Sequence, residues 1–122
     1  MVFYALFVSI FSFSLFTPSL VYPIVLPQIM PFDFGDEPVN SGDMTTVQCA
    51  VIKGDFPITI SWALNNQSIS DISGVTISQI NKRISSLSIE SVEAIHTGMF
   101  TCTAVNKAGS TSYSAVLNVN GT

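Results

Sequence analysis

Residues 87–109 read LSIESVEAIHTGMFTCTAVNKAG. Leu87 and Ile89 alternate with Ser86 and Ser88, the period of two that sets apolar side chains on one face of a strand and hydroxyls on the other. Segment 92–98 breaks that period and predicts one tight helical turn. The strand expected at 99–105 aligns Phe100, Cys102 and Ala104 on one face. Asn106, Lys107, Ala108 and Gly109 then predict a hairpin, since Asn and Gly tolerate the left-handed backbone that tight turns need.

The same alternation extends in both directions. Forward, Tyr113, Ala115, Leu117 and Val119 share a face of the last strand. Backward, segment 44–51 (MTTVQCAV) sets Val47, Cys49 and Val51 against Thr46, Gln48 and Ala50. Lys53, Gly54, Asp55 and Pro57 predict a turn, after which 58–64 aligns Ile60, Trp62 and Leu64. Asn65 and Asn66 turn the chain, Gly74 punctuates it, and Val75, Ile77 and Gln79 begin another alternating segment. No stretch from Gln28 onward holds a helical period. About seven to eight short strands at this spacing predict an all-β antiparallel sandwich, with Trp62, Leu87, Ile89 and Phe100 in its core.

The two cysteines are too few for a structural zinc site and form no Cys-x-x-Cys pair. Trp62 follows Cys49 by 13 positions and Cys102 follows it by 53, which places the cysteines on strands of opposite sheets with the indole between them. A disulfide joining Cys49 to Cys102 is the economical reading and implies an oxidising compartment, outside the cell or in the secretory lumen. Such a bridge stabilises the fold by about 4 kcal/mol on the chain-entropy account. The alternative is two buried thiols in a cytosolic, muscle-type sandwich domain.

Of 122 residues 48% are hydrophobic and only 10% charged, well below the roughly 25% charge of an average soluble domain. The charges locate the reason: none precedes Asp33. Residues 1–24 therefore form an apolar leader distinct from the domain at 25–120. Segment 2–16 (VFYALFVSIFSFSLF) has three readings: a secretory signal lacking its positive start, a membrane anchor cut short by serines and Pro18, or read-through of pyrimidine-rich codons from a gene model. A net charge of -4 without a basic cluster argues against nucleic acid as a partner.

No catalytic residue, cofactor or metal site is expected. His96 is the single histidine and stands without an identifiable nucleophile, so a structural corner role is expected of it. Asp33, Asp36, Glu37 and Asp43 lack the spacing of a calcium loop and read as a solvated edge. Asn66-Gln67-Ser68 and Asn120-Gly121-Thr122 satisfy the N-glycosylation acceptor pattern, with Asn66 on a predicted turn.

Residues 87–109 resemble the corresponding region of an intermediate-set immunoglobulin domain: an apolar pair, then D-x-G-x-Y-x-C, then A-x-N-x-x-G. Within that set the chain is similar to the alternatively spliced variable domains of the arthropod Dscam family, through VLPQIMPF at 25–32, Gly54 and Pro57, and HTGMFTCTAVNKAGSTSY at 96–113. The likeness spans nearly all of 25–120. Two positions depart from it. His96 replaces the usual Asp, whose carboxylate commonly pairs with a basic residue, and Phe100 lacks the corner tyrosine's hydroxyl, a loss of about 1 kcal/mol. The resemblance implies homophilic cell adhesion in neuronal self-recognition and axon guidance, on the outer side of the plasma membrane or secreted. Its partner is then an identical domain or a neighbouring immunoglobulin domain, with membrane attachment only through a parent receptor. Asp33, Asp36, Gln79, Lys82 and Arg83 are the expected surface determinants. Two other functions remain open at this stage: a secreted immune-recognition domain and a muscle-filament domain.

Overall fold

The computed structural model describes residues 22–121. The leader read at 1–24 lies outside the described residues except for its last three. In chain order the strands are β1 Gln28–Ile29, β2 Val39–Asn40, β3 Thr45–Lys53, β4 Thr59–Leu64, β5 Gln67–Ser68, β6 Val75–Asn81, β7 Ile84–Ile89, β8 Gly98–Asn106, β9 Gly109–Leu117 and β10 Val119–Asn120. Single 3₁₀ turns occupy Ile69–Asp71 and Ala94–His96, the second inside the segment where one helical turn is expected.

Alternation decides which side of each strand is dry. In β3, Thr45, Val47, Cys49 and Val51 are buried while Thr46 and Gln48 face out, and β7 buries Ser85, Leu87 and Ile89. The two pair antiparallel with Val47 opposite Leu87, inside a sheet ordered β1-β3-β7-β6. The second sheet is ordered β5-β4-β8-β9, with Trp62 opposite Cys102 and Cys102 opposite Tyr113. A parallel pair, β2 with β10, ties the start of the domain to its end.

Between the sheets the Cys49–Cys102 disulfide joins β3 to β8, with Cα atoms 6.4 Å apart. Trp62 is only 5% exposed, and its Nε1–H donates to Ser85 Oγ at 2.9 Å, so the indole spans from one sheet to the other. Leu87, Ile89, Phe100 and Leu117 are fully buried, each contributing about 1.5–3 kcal/mol of hydrophobic free energy. Phe34 closes over Phe100 at 5.2 Å between ring centroids, and Phe32 lies 5.5 Å from Trp62.

Two expectations differ in detail from the observed strands. Ile77 and Gln79 share the inward side of β6, yet β6 is an edge strand with a bulge between Gln79 and Asn81, and both side chains remain exposed. The last strand breaks at Asn118, whose carbonyl accepts from Val39 N–H at 2.9 Å, so Val119 pairs with β2 rather than continuing along β8.

Candidate recognition surface

Asn65 and Asn66 form the turn of the β4–β5 hairpin, both in the left-handed region with φ of 50° and 66°. Asn65 Oδ1 accepts from Met99 N–H at 2.9 Å and its Nδ2 donates to Thr97 O at 3.3 Å, clamping this turn to the start of β8. Gly98 makes the clamp possible: a Cβ there would run into the Asn65 carboxamide, and its φ is 142°.

One residue along, His96 is fully buried. Its Nδ1 accepts from Glu93 N–H at 2.9 Å and its Nε2 lies 2.8 Å from Ser73 O. A backbone amide can only donate and a carbonyl only accept, so the ring carries its proton on Nε2. The imidazole thus links the 3₁₀ corner to the β6 approach and supplies no free nitrogen for catalysis. No group of three His, Cys, Asp or Glu side chains among the described residues is placed to hold a metal ion.

The outward surfaces have an unusual chemistry. On the β1-β3-β7-β6 sheet, Gln48 stands opposite Ser86 and Ser86 opposite Ser78, with Thr46, Ser88 and Thr76 in the adjoining row. On the other sheet, Thr101 and Ser114 hydroxyls lie 2.7 Å apart, and those of Thr103 and Ser112 2.8 Å apart. Of the four basic and eight acidic residues, only Lys53, the last residue of β3, lies in a strand. Both faces are therefore uncharged.

Charge is concentrated instead at the ends. Lys53 at the end of β3, Lys82 and Arg83 in the β6–β7 turn and Lys107 in the β8–β9 hairpin meet at one end of the sandwich, with Asp55 as the acid among them. Arg83 donates to Val51 O at 3.1 Å and Gly54 O at 3.0 Å, and its guanidinium lies 4.4 Å from the centre of the Phe56 ring. Phe56, Pro57, Ile58, Gln79 and Lys82 line an open groove of about 620 Å³ beside it. The opposite end carries Asp43, Glu90 and Glu93, where hydrogen bonds tie the Asp43 turn to Val92.

The five expected surface determinants do not form one cluster. Asp33 and Asp36 are exposed on the crossover from β1 to β2, where Asp33 Oδ1 accepts from Gly35 N–H at 2.8 Å. Gln79, Lys82 and Arg83 stand at the far edge of the same sheet, on β6 and the turn after it. Sequence reading missed Phe56, half exposed under the Arg83 guanidinium, because nothing in the local pattern joins a residue after β3 to one before β7. Of the acceptor asparagines, Asn66 is exposed at its turn, whereas Asn120 Nδ2 donates to Asn40 Oδ1 at 3.0 Å.

This geometry agrees with comparisons to known proteins. The family model described as "Immunoglobulin I-set domain" matches residues 34–119. Cell adhesion molecule Dscam1 of Drosophila melanogaster is 43% identical over 101 residues, 82% of this chain and 5% of the relative. Cell adhesion molecule DSCAM of Homo sapiens is 37% identical over 95 residues, 78% of this chain and 5% of that protein. A solved Dscam1 Ig7 domain, isoform 5, superposes with a TM-score of 0.75 at 49% identity, covering 77% of this chain and 96% of that one. The chain thus spans about 5% of the length of the curated relatives it matches. With its inter-sheet disulfide, its buried tryptophan and a family match over most of its length, the chain belongs to the intermediate-set immunoglobulin domain family.

Proposed function

We propose that residues 25–120 act as a homophilic adhesion module on the outside of the cell, pairing with an identical domain in neuronal self-recognition and axon guidance. The observation that carries this reading is the uncharged β1-β3-β7-β6 face framed by charge. An isologous two-fold interface brings residues near its axis close to their own copies, so a charge at the centre of the patch would repel itself. Gln48, Ser86 and Ser78 avoid that penalty. Asp33, just past the edge strand β1, and Lys82 and Arg83, just past the opposite edge strand β6, supply the polar rim that interfaces usually carry. Antiparallel stacking sets the cationic end of each copy over the acidic end of its partner, which favours that orientation.

The magnitude is modest. Four strands about 4.8 Å apart and about six residues long present roughly 400 Å² of projected area per copy, or about 800 Å² in total. That is below the roughly 1,200–2,000 Å² of a stable complex, so one domain pairs weakly and neighbouring immunoglobulin domains multiply the effect. The bonded cysteines suit an oxidising compartment, which favours this reading over a muscle-filament role. The test is sedimentation equilibrium of residues 25–120 over a wide concentration range. Weak dimerisation is expected, abolished by Gln48→Glu, unaffected by Thr103→Glu on the other sheet, and weakened by added salt. A monomer at every concentration, or a dimer sensitive only to Thr103→Glu, overturns the assignment of this face.

A further inference from the structure

We infer that Asn66 is an N-linked glycosylation site whose sugar covers the β5 edge of the second sheet. The acceptor Asn66-Gln67-Ser68 occupies the tip of a hairpin, where Asn66 is exposed and makes no side-chain hydrogen bond among the described residues. The preceding Asn65 makes the side-chain contacts that fasten this turn, through Met99 N–H and Thr97 O. Asn66 Nδ2 is consequently free to carry a substituent without breaking the clamp. Asn120 presents the contrasting case, since its Nδ2 is turned onto Asn40 Oδ1.

The donor is a lipid-linked oligosaccharide pyrophosphate of the secretory pathway. Asn66 Nδ2 bonds to the anomeric carbon, the carbon–oxygen bond to pyrophosphate breaks, the lipid pyrophosphate leaves with the electron pair, and the amide nitrogen loses one proton. The product has a physical use in this fold. β5 is a two-residue edge strand whose outer side has no partner in its sheet, and a hydrated glycan beside it blocks edge-to-edge association. It also adds bulk next to one of the two uncharged faces and leaves the β1-β3-β7-β6 face open, a consequence that rests on the pairing proposed above.

The test uses the whole chain, secreted from cultured insect cells behind a cleavable signal sequence and digested with and without prior peptide N-glycosidase treatment. Treatment converts a glycosylated asparagine to aspartate, so the expected result is a peptide carrying Asn66→Asp only after treatment, with loss of the slower-migrating gel species. Ser68→Ala, which keeps Asn66 in its turn, and Asn66→Gln both abolish the shift, while Asn120→Gln leaves it. A secreted, disulfide-bonded chain whose Asn66 peptide is unmodified before and after treatment overturns the proposal. Because occupancy is read by mass and pairing by sedimentation, failure of one is distinguishable from failure of the other.

Discussion

Replacing His96 with Ala tests the account of the corner. The substitution removes two hydrogen bonds, at 2.9 Å to Glu93 N–H and 2.8 Å to Ser73 O, made by a ring that is fully buried. Each buried polar group left without a partner costs about 1–3 kcal/mol, and water following into the space recovers part of it, so the expected loss is about 2–4 kcal/mol. The ring is closely fitted: a Cβ at Gly74 would lie 3.2 Å from Nε2. The family's usual residue is not expected to match the histidine. In His96→Asp the carboxylate accepts from Glu93 but offers Ser73 no donor, and all four cations sit at the other end of the sandwich. Trp62, the single tryptophan and a buried one, reports unfolding by fluorescence. At a urea m-value of about 1 kcal/mol/M, the midpoint should fall by about 2 M or more in His96→Ala and by about 1–3 M in His96→Asp, which leaves Ser73 O alone without its donor. A His96→Ala midpoint within about 0.5 M of the parent, or a His96→Asp protein more stable than the parent, refutes the reasoning.

Cys49→Ala combined with Cys102→Ala opens a loop spanning 53 positions and is expected to destabilise by about 4 kcal/mol in calorimetry, leaving a loss below about 1 kcal/mol as the contrary result. Trp62→Phe should cost about 1–3 kcal/mol through the lost bond to Ser85 Oγ, and less in a Ser85→Ala background, in which the indole no longer has that acceptor. Strict additivity of those two changes in denaturant titrations would show that the bond contributes nothing.

Much of this fold was legible because its signals are local or parity-based. Alternation around Val47, Leu87 and Cys102 needs only the side-chain period of a strand, and the Cys–Trp–Cys spacing predicts which strands lie opposite across the core. Ser85 was legible in principle, sharing the parity of Leu87 and Ile89, yet a serine in a serine-rich run reads as solvent-facing until the indole that needs an acceptor is placed above it. The β2–β10 pair was not legible: two residues on each side carry no periodic signal, and their partnership depends on where the chain ends meet. The surface was legible least. Residues 53, 82, 83 and 107 look scattered in sequence and become one cationic end only when the end of β3 and two turns converge.

The separation of stability from surface chemistry bears on what such a module can encode. Every strong constraint in this domain points inward: the disulfide, the indole bond to Ser85, the His96 bridge, and a core in which no buried side-chain nitrogen or oxygen among the described residues lacks a partner. The outward rows carry little of that load, so exchanges among Thr, Ser, Gln and Asn at positions such as 48, 78 and 86 should shift stability by no more than about 0.5 kcal/mol. If the domain pairs as proposed, those same exchanges alter the pattern of donors and acceptors that a second copy would have to match, and an unmatched polar group at a paired face costs about 1–3 kcal/mol. In a two-fold pairing an exchange falls at two symmetry-related positions when like copies meet, but at one when unlike copies meet, where it faces a partner that lacks the matching change. A fold insensitive to its surface, carrying a surface sensitive to its partner, can vary its specificity without risking its structure.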